Sequence, residues 1–388
     1  MKTRPSRLLL SSLFIAAAAP AMAADIVETG VRPLYLIDRM TDGPLKEKLT
    51  ACMGQPVKRT AFSIGHRGAS MQFPEHTVEA NVAAARMGAG VLECDVTFTR
   101  DKELVCRHAQ DDLHTTTNIL ATPLASTCVA AFSPASGDQP AAAECRTSEL
   151  TLAEFRSLTP KMDAGDKAAT TLEAYMNATP SWRTDLYAVE PTKLMSHAES
   201  IALFRSLGAK FTPELKAPAV EMPFDGFTQE DYAQKLIDEY KEAGIPASDV
   251  FAQSFNLDDV LYWIRAEPEF GANAVYLVEM ADDFDGRNPA TWKEDFAALK
   301  AAGVNYLAPS MNMLVTADGD RIAESAYAKA AKEAGLKLIT WSLERSGPLA
   351  AGGGWYWAPL NGIVKSDGRM YELLDVLAQE VGVVGVFS

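Results

Sequence analysis

Short runs of apolar residues alternate along most of the chain with longer stretches whose apolar positions recur every three or four residues. Runs of the first kind read as strands and stretches of the second as amphipathic helices, and their alternation is the pattern of a parallel α/β fold. Eight strands are expected at about 61–66, 91–96, 210–216, 250–254, 274–278, 304–308, 336–341 and 361–366. Helices are expected between them, among others at Thr77–Met87, Ser196–Ser206, Gln229–Ala243, Asp258–Ala266, Pro289–Ala302 and Arg321–Ala334. Several end in Gly88, Gly208, Gly244, Gly303 or Gly335 just before the next strand, where glycine suits a helix C-cap. Eight strands so spaced predict a (β/α)8 TIM barrel.

One element breaks the alternation. After 91–96 only Thr97 to Lys102 precede the next apolar run, Glu103–His108. That link is too short for a crossover helix, so the run must fold back as an antiparallel hairpin arm, with its end toward the carboxyl end of the barrel strands. About 100 residues, 109–209, then separate the arm from the third barrel strand, too many for a simple loop. A small insertion is expected near 112–150, followed by short helices at Thr151–Leu158 and Thr170–Ala178, each opened by a threonine N-cap. The 351–354 stretch, Ala-Gly-Gly-Gly, reads as a flexible loop above the barrel.

The amino terminus bears on compartment. Lys2, Arg4 and Arg7 precede an uncharged apolar run from Leu8 to Ala18, Pro20 breaks it, and Ala21-Met22-Ala23 supplies a small-x-small cleavage pattern. The run is about half the length a membrane span needs, so 1–23 reads as a cleaved export signal, with a periplasmic or secreted destination and no stable membrane anchor. Residues 24–60 read as an extension packing on the barrel and 61–388 as the barrel domain. The balance is acidic: 36 basic against 51 acidic residues give −15, and removal of Lys2, Arg4 and Arg7 leaves 33 against 51, or −18. That argues against a nucleic-acid partner, which needs a basic surface, but not against a small anion held locally beside a metal. The sequence leaves the oligomeric state open. Of five cysteines, Cys128 and Cys145 bracket an Ala/Pro/Ser/Gly-rich loop and are the expected disulfide, while Cys52, Cys94 and Cys106 are left unassigned.

The residues able to do chemistry fall at strand ends. Glu93 and Asp95 are two apart on one strand, so both point to one face, and Glu214 and Lys216 repeat the spacing on the next barrel strand. That face is the barrel interior, where unpaired carboxylates are costly. Three acids converging there suit a hard cation, Ca²⁺ or Mg²⁺. A bare Glu214–Lys216 ion pair would explain one such pair alone, but not two at corresponding positions. His66 ends the first strand and His108 the arm, a pairing suited to acid–base work near neutral pH. Arg67 and Lys216 supply donors suited to phosphoryl oxygens. Gly65 and Gly68 allow a tight turn beside a ligand.

The segments His66-Arg67-Gly68-Ala69, Pro74-Glu75-His76-Thr77, Glu93-Cys94-Asp95-Val96, Arg107-His108 and Glu214-Leu215-Lys216, in this order, resemble the glycerophosphodiester phosphodiesterase family. Thr340-Trp341-Ser342 and Ile363-Val364-Lys365-Ser366-Asp367, placed on the seventh and last strands, extend the likeness over about 61–367. The resemblance implies a metal-dependent hydrolase acting on small glycerophosphodiesters. His66 and His108 would be the acid–base pair and Glu93, Asp95 and Glu214 the ligands of one divalent cation. Arg67 and Lys216 would bind phosphate, Glu75 would order the loop after His66 or touch a ligand hydroxyl, and Trp341 would wall the pocket. In one place the chain departs from the family: Ala109 stands where an aspartate usually follows the second histidine, and the next acids, Asp111 and Asp112, come two and three residues after it. The nearest alternative is a phospholipase-D-like phosphodiesterase acting on sphingomyelin or lysophospholipids, which an exposed apolar rim would favour. A barrel glycosidase would leave both histidines without a task, and a solute-binding protein would need two lobes.

Overall fold

The structure, a computed structural model, describes residues 27–184 and 192–388; the expected export signal lies outside the described residues. The strands follow as β1 (Thr60–Gly65), β2 (Ala89–Phe98), β3 (Leu104–Cys106), β4 (Ala130–Ser133), β5 (Ala142–Glu144), β6 (Lys210–Leu215), β7 (Gln253–Ser254), β8 (Val275–Val278), β9 (Tyr306–Pro309), β10 (Val315–Asp318), β11 (Arg321–Glu324), β12 (Lys337–Thr340) and β13 (Gly385–Phe387). Eight of them, in the order β1-β13-β12-β9-β8-β7-β6-β2, form a parallel sheet that the β1–β2 pairing closes into a barrel. The fold is the expected (β/α)8 barrel.

Side-chain alternation divides the barrel into zones. Ile64, Val91, Val275, Leu277, Tyr306, Ala308, Ile339 and Phe387 pack together as a small inner core, and on β2 the same inward face then continues with Glu93 and Asp95. The alternate residues Leu92, Cys94 and Val96 belong to the large outer core between strands and helices. An apolar floor beneath a polar mouth follows from this period-two pattern. The five helix-ending glycines all take positive φ, from 66° to 104°.

The last strand is not where the chain pattern put it. Residues 361–366 form turns below a 3₁₀ segment, Trp355–Leu360, and the barrel is completed by Gly385–Phe387. Ile363 and Val364 made an apolar run because Val364 is fully buried in the outer core, and a buried turn carries the same signal as a short buried strand. At Gly385 a Cβ would lie 2.9 Å from Ile64 Cδ1, so a larger residue there would have to push that side chain aside for β13 to seat beside β1. The expected helix 321–334 is also divided: Arg321–Glu324 pairs antiparallel with Val315–Asp318, and the helix starts at Ala326, capped by Ser325. Likewise 289–302 is a 3₁₀ turn, Pro289–Thr291, followed by a helix from Phe296 to Ala301 capped by Asp295. In both cases an internal N-cap residue interrupts a helical pattern.

The arm forms as expected. β3 runs antiparallel to β2, with Phe98 opposite Leu104 and Val96 opposite Cys106. β1 pairs with the first part of β2 and β3 with its far part, so the arm continues the wall where β1 has ended. Within the 109–209 stretch lie a short helix, Leu113–Thr116, the β4–β5 hairpin and short helices at Leu152–Arg156 and Leu172–Met176, around a core of their own that includes Leu113, Ile119, Phe155 and Tyr175. The Cys128–Cys145 disulfide closes the hairpin region as expected, and a second one joins Cys94 on β2 to Cys106 on β3. Cys52 is free and exposed. Helix Arg32–Asp38 of the extension packs on helix Arg369–Asp375, and Gly368 there leaves no room for a Cβ against Arg39. Among the described residues no helix is long and apolar enough to cross a membrane.

Candidate active site

The polar mouth of the barrel is built from the ends of β1, β2, β6, β7 and β12 and from the arm. In-register pairing sets Asp95 beside Glu214 and Glu214 beside Gln253. Glu93, Asp95 and Glu214 are buried and can each offer an oxygen within 4.8 Å of the others. Glu93 accepts a hydrogen bond from the Arg67 backbone N–H at 2.8 Å and another from Gln253 Nε2 at 3.1 Å. Asp95 Oδ2 accepts from His76 Nε2 at 2.9 Å, whereas Asp95 Oδ1 is buried with no hydrogen-bond partner among the described residues.

Three carboxylates in so small a volume are short of positive charge. Burial, with Asp95 and Glu214 close by, pushes the Glu93 carboxyl well above the usual range. Burial and the neighbouring Asp95 likewise raise Glu214, to about 7, although Lys216 lies 2.6 Å away. Asp95 is buried too, but His76 and Lys216 hold it well below its ordinary value. An unpartnered oxygen and two carboxyls raised by crowding fit a divalent cation, which takes oxygen ligands and relieves the repulsion. The expected ligand set is therefore gathered, and the local Glu214–Lys216 pair exists alongside it.

The loop after β1 supplies the next layer. Arg67 takes a left-handed conformation, φ 57°, which aims its N–H at Glu93, and Gly68 follows at φ 78°, where a Cβ would lie 2.6 Å from the Ala80 backbone. Helix Val78–Arg86, capped by Thr77, fills that space. Arg67 Nη1 meets Glu75 Oε2 at 2.9 Å, and Arg345 Nη2 reaches the same oxygen at 3.1 Å. Burial opposes ionisation of Glu75, but these two guanidinium groups hold its carboxyl well below the usual range. Glu75 thus organises the two arginines.

His66 directly follows β1 in a buried position, and its Nδ1 lies 2.5 Å from Glu344 Oε1. Burial lowers the His66 pKa while Glu344 opposes the fall; burial in turn raises Glu344, but His66 and Arg345 hold it down to about 2. His108 follows Arg107, whose backbone N–H donates to the Asp95 carbonyl at 2.7 Å, so the arm returns to the level of the carboxylates. Burial, then Arg67 and Lys216, push the His108 pKa well below its ordinary value. Asp112, the nearest acid after Ala109 to make a contact there, accepts from the Ala109 N–H at 2.9 Å and so fixes the backbone beside His108 rather than its ring.

Trp341, at the end of β12, donates from Nε1 to the Ala308 carbonyl at 3.0 Å and heads an aromatic group with Phe255, Trp355 and Tyr356. All nine residues picked from the chain are thus at one mouth, although Trp341 stands beyond the strand's last residue. The chain pattern missed His76, Gln253, Glu344, Arg345 and Asp163, whose Oδ2 meets Arg345 Nη1 at 3.0 Å and whose Oδ1 meets Arg183 Nη2 at 2.6 Å. His76 lay inside a recognised segment, and Gln253 on an expected strand. Nothing in the chain pattern singled out Glu344, Arg345 or Asp163.

A sequence profile of the glycerophosphoryl diester phosphodiesterase family matches residues 66–388. A protein of Arthroderma benhamiae named extracellular protein is 47% identical over 232 residues, covering 58% of this chain and 94% of its own. A Mycobacterium tuberculosis protein named as a glycerophosphodiester phosphodiesterase is 53% identical over 47 residues, covering 12% of this chain and 17% of its own. Among solved structures, a protein of Silicibacter pomeroyi named as a glycerophosphoryl diester phosphodiesterase aligns with a TM-score of 0.53 at 19% identity, covering 84% of this chain and 95% of its own. One of Agrobacterium tumefaciens, similarly named, aligns with a TM-score of 0.50 at 15% identity, covering 85% and 93%. These two likenesses are likenesses of fold.

Proposed function

Because the chain belongs to the glycerophosphoryl diester phosphodiesterase family, we propose that it hydrolyses small glycerophosphodiesters to an alcohol and sn-glycerol 3-phosphate outside the cytoplasm. The observation that carries this reading is the buried trio Glu93, Asp95 and Glu214 lying among Arg67, Lys216 and two histidines. The assigned unit is 61–388, carrying the 112–150 insertion, with 24–60 as an extension and 1–23 as a cleaved export signal. Two disulfides and a relative named as extracellular support an oxidising destination, periplasmic or secreted.

A phosphodiester resists hydrolysis because its charge repels nucleophiles and its leaving alkoxide is poor. Arg67 and Lys216 bind the non-bridging oxygens and stabilise the charge that develops there. Glu93, Asp95 and Glu214 would hold one Ca²⁺ or Mg²⁺, which when bound adds Lewis-acid stabilisation of the same oxygens. His66 and His108 share the proton traffic: one takes the proton of the attacking hydroxyl, and the other delivers a proton to the departing alcohol. Glu344 holds His66 through Nδ1, which leaves Nε2 for the transfer. Glu75 keeps Arg67 in place and Trp341 walls the pocket.

The test is release of glycerol 3-phosphate from glycerophosphocholine by purified protein supplied with Mg²⁺ or Ca²⁺. No release under either ion sinks the proposal. His66→Ala and His108→Ala should each abolish turnover with the circular-dichroism spectrum unchanged, and retained turnover in either refutes that residue's role.

One observation favours a second reading. Phe255 and Trp355 are exposed at the rim of the mouth, as a phospholipase-D-like enzyme acting on lysophospholipids or sphingomyelin would require. Faster turnover of micellar lysophosphatidylcholine than of glycerophosphocholine would establish it.

A further inference from the structure

The two histidines of the mouth are held by different means. The rings of His66, His76, His114 and His197 each make a hydrogen bond through a nitrogen, and among the described residues no such bond is made to the ring of His108. Four charged groups act on that ring, Arg67 and Lys216 with one sign and Asp95 and Glu75 with the other. A ring standing among charges of both signs without a hydrogen bond has no lock of its own. Its place must come from the backbone that carries it.

That backbone is pinned on both sides. Before His108, the Arg107 N–H donates to the Asp95 carbonyl at 2.7 Å, and the fully buried Arg107 side chain braces the turn by donating to the carbonyls of Cys106 and Glu75. After it, the Ala109 N–H donates to Asp112 Oδ2 at 2.9 Å, and Ala109 has no polar side chain of its own to make such a contact. Asp112 is in turn fixed within the insertion. Its Oδ1 accepts from the Thr116 hydroxyl at 3.1 Å, and the Leu113 N–H donates at 3.2 Å to the carbonyl of Cys145, which is bonded to Cys128. Gln110 adds an anchor: its carbonyl accepts from the Thr147 N–H and its side-chain oxygen from the Ala219 N–H beyond β6, both at 2.7 Å. Burial pushes the Asp112 carboxyl up to about 7 against the pull of Arg107, so both of its forms are present near neutral pH. Either form can accept from the Ala109 N–H. Asp112 therefore supplies an acceptor oxygen and not a fixed charge.

We propose that Asp112 is the positioning residue of His108: through the Ala109 N–H it sets where the histidine stands, and it makes the 109–209 insertion part of the catalytic scaffold. The inference rests on the phosphodiesterase reading and adds a residue to its site. Asp112 touches no reacting atom and acts only through His108. A displacement of about 1 Å in a proton-transfer group costs on the order of 100-fold in rate. Arg67, Lys216 and the three carboxylates are carried by β2, β6 and the loop after β1, so phosphate and ion binding do not depend on this clamp.

The experiment compares wild type, Asp112→Ala and Asp112→Asn in turnover of glycerophosphocholine, in calorimetric binding of Ca²⁺ and in side-chain NMR of isotope-labelled histidines. Asp112→Ala should lower kcat about 10- to 100-fold, with KM and the Ca²⁺ dissociation constant within about twofold of wild type. Asp112→Asn, whose amide oxygen can accept from Ala109 while its nitrogen donates to Thr116, should keep kcat within about threefold. In Asp112→Ala the His108 ring signals, assigned by their loss in His108→Ala, should move while those of His66, His76 and His197 stay. An unchanged kcat in Asp112→Ala, or His108 signals that do not move, overturns the proposal. Loss of kcat and Ca²⁺ binding together, with all the histidine signals displaced, marks a merely structural residue and overturns it as well. Asp112→Asn as impaired as Asp112→Ala assigns the role to charge and overturns the acceptor. If Asp112→Ala does not fold, Thr116→Val loosens Asp112 instead: a severalfold lower kcat at unchanged KM supports the clamp, and no change overturns it. If the wild type turns over no diester, the underlying reading fails, and the NMR comparison alone still decides whether Asp112 seats His108.

Discussion

The carboxylate side of the pocket and its histidine–arginine side lie within one mouth but are held in different ways. Glu93, Asp95 and Glu214 stand on two adjacent strands in register, so the period of the strand alone puts them on one face. His66, Glu344, Glu75, Arg345 and Asp163 come from three separate stretches of chain, and charge pairing between loops holds them. The first side has an excess of negative charge that raises two of its carboxyls; on the second each carboxylate faces an arginine or a histidine. An unbalanced cluster on a stiff scaffold fits the binding of a further ion, and a balanced network among loops fits the orientation of a proton-transfer group.

The hardest test of this contrast is neutralisation of the carboxylate side. Asp95→Asn should cost three orders of magnitude or more in kcat/KM, roughly the combined worth of a metal ligand and the acid–base geometry it supports. Calorimetric titration should show Ca²⁺ and Mg²⁺ binding lost with it. Glu93→Gln, at the carboxyl that burial and its two acidic neighbours raise, should be at least as stable as the wild type when no divalent ion is present, because one fewer buried charge relieves repulsion; a large loss of stability would make the trio structural.

On the other side Glu344→Gln should lower kcat about 10- to 100-fold without abolishing ion binding, in line with other partners that orient a functional histidine. Glu344 stabilises protonated His66, so its removal should move the limb of the pH–rate profile that belongs to His66 to lower pH. A stability difference should accompany it. The folded Glu344 carboxyl is depressed to about 2 from an ordinary 4.5, so its contribution is present in full above pH 4.5 and fades as pH falls toward 2. Denaturation midpoints of wild type and Glu344→Gln measured from pH 7 to pH 2 should therefore converge at the acid end, and a constant gap would contradict the pairing.

Between the two sides stands the Cys94–Cys106 bridge, which ties the carboxylate strand to the arm that carries His108. Replacing both cysteines with alanine should cost about 3 kcal/mol in chemical denaturation, from the freedom returned to the unfolded chain. It should slow turnover more than it weakens divalent binding, because the arm and not β2 is freed; the reverse order would place the bridge's role in the metal side. The smallest effect is expected at Asp163→Asn, which removes charge pairing to Arg345 and Arg183 but leaves hydrogen bonding possible. A loss of about 1–3 kcal/mol is expected for such a buried network, with kcat reduced less than in Glu344→Gln.

The same contrast explains what could be read from the chain. Seven strands of the barrel, the arm and the glycine-ended helices are set by local rules of period, turn length and capping, and these placed Glu93, Asp95 and Glu214 correctly without a structure. The eighth strand was misplaced because Val364 is buried in a turn, and burial leaves the same mark on a turn as on a strand. Glu344 and Asp163 carried no mark at all. A carboxylate in a loop looks alike in sequence whether it faces solvent or a histidine 278 positions earlier.

By itself the sequence determined the barrel, the convergence of three acids on its inner face, and the return of His108 on a short hairpin, since each follows from spacing along neighbouring residues. Only the tertiary structure decided what each of those groups is paired with. That choice depends on loops brought together by closure of the barrel, where a charge taken from water must find its partner across the fold and not along the chain.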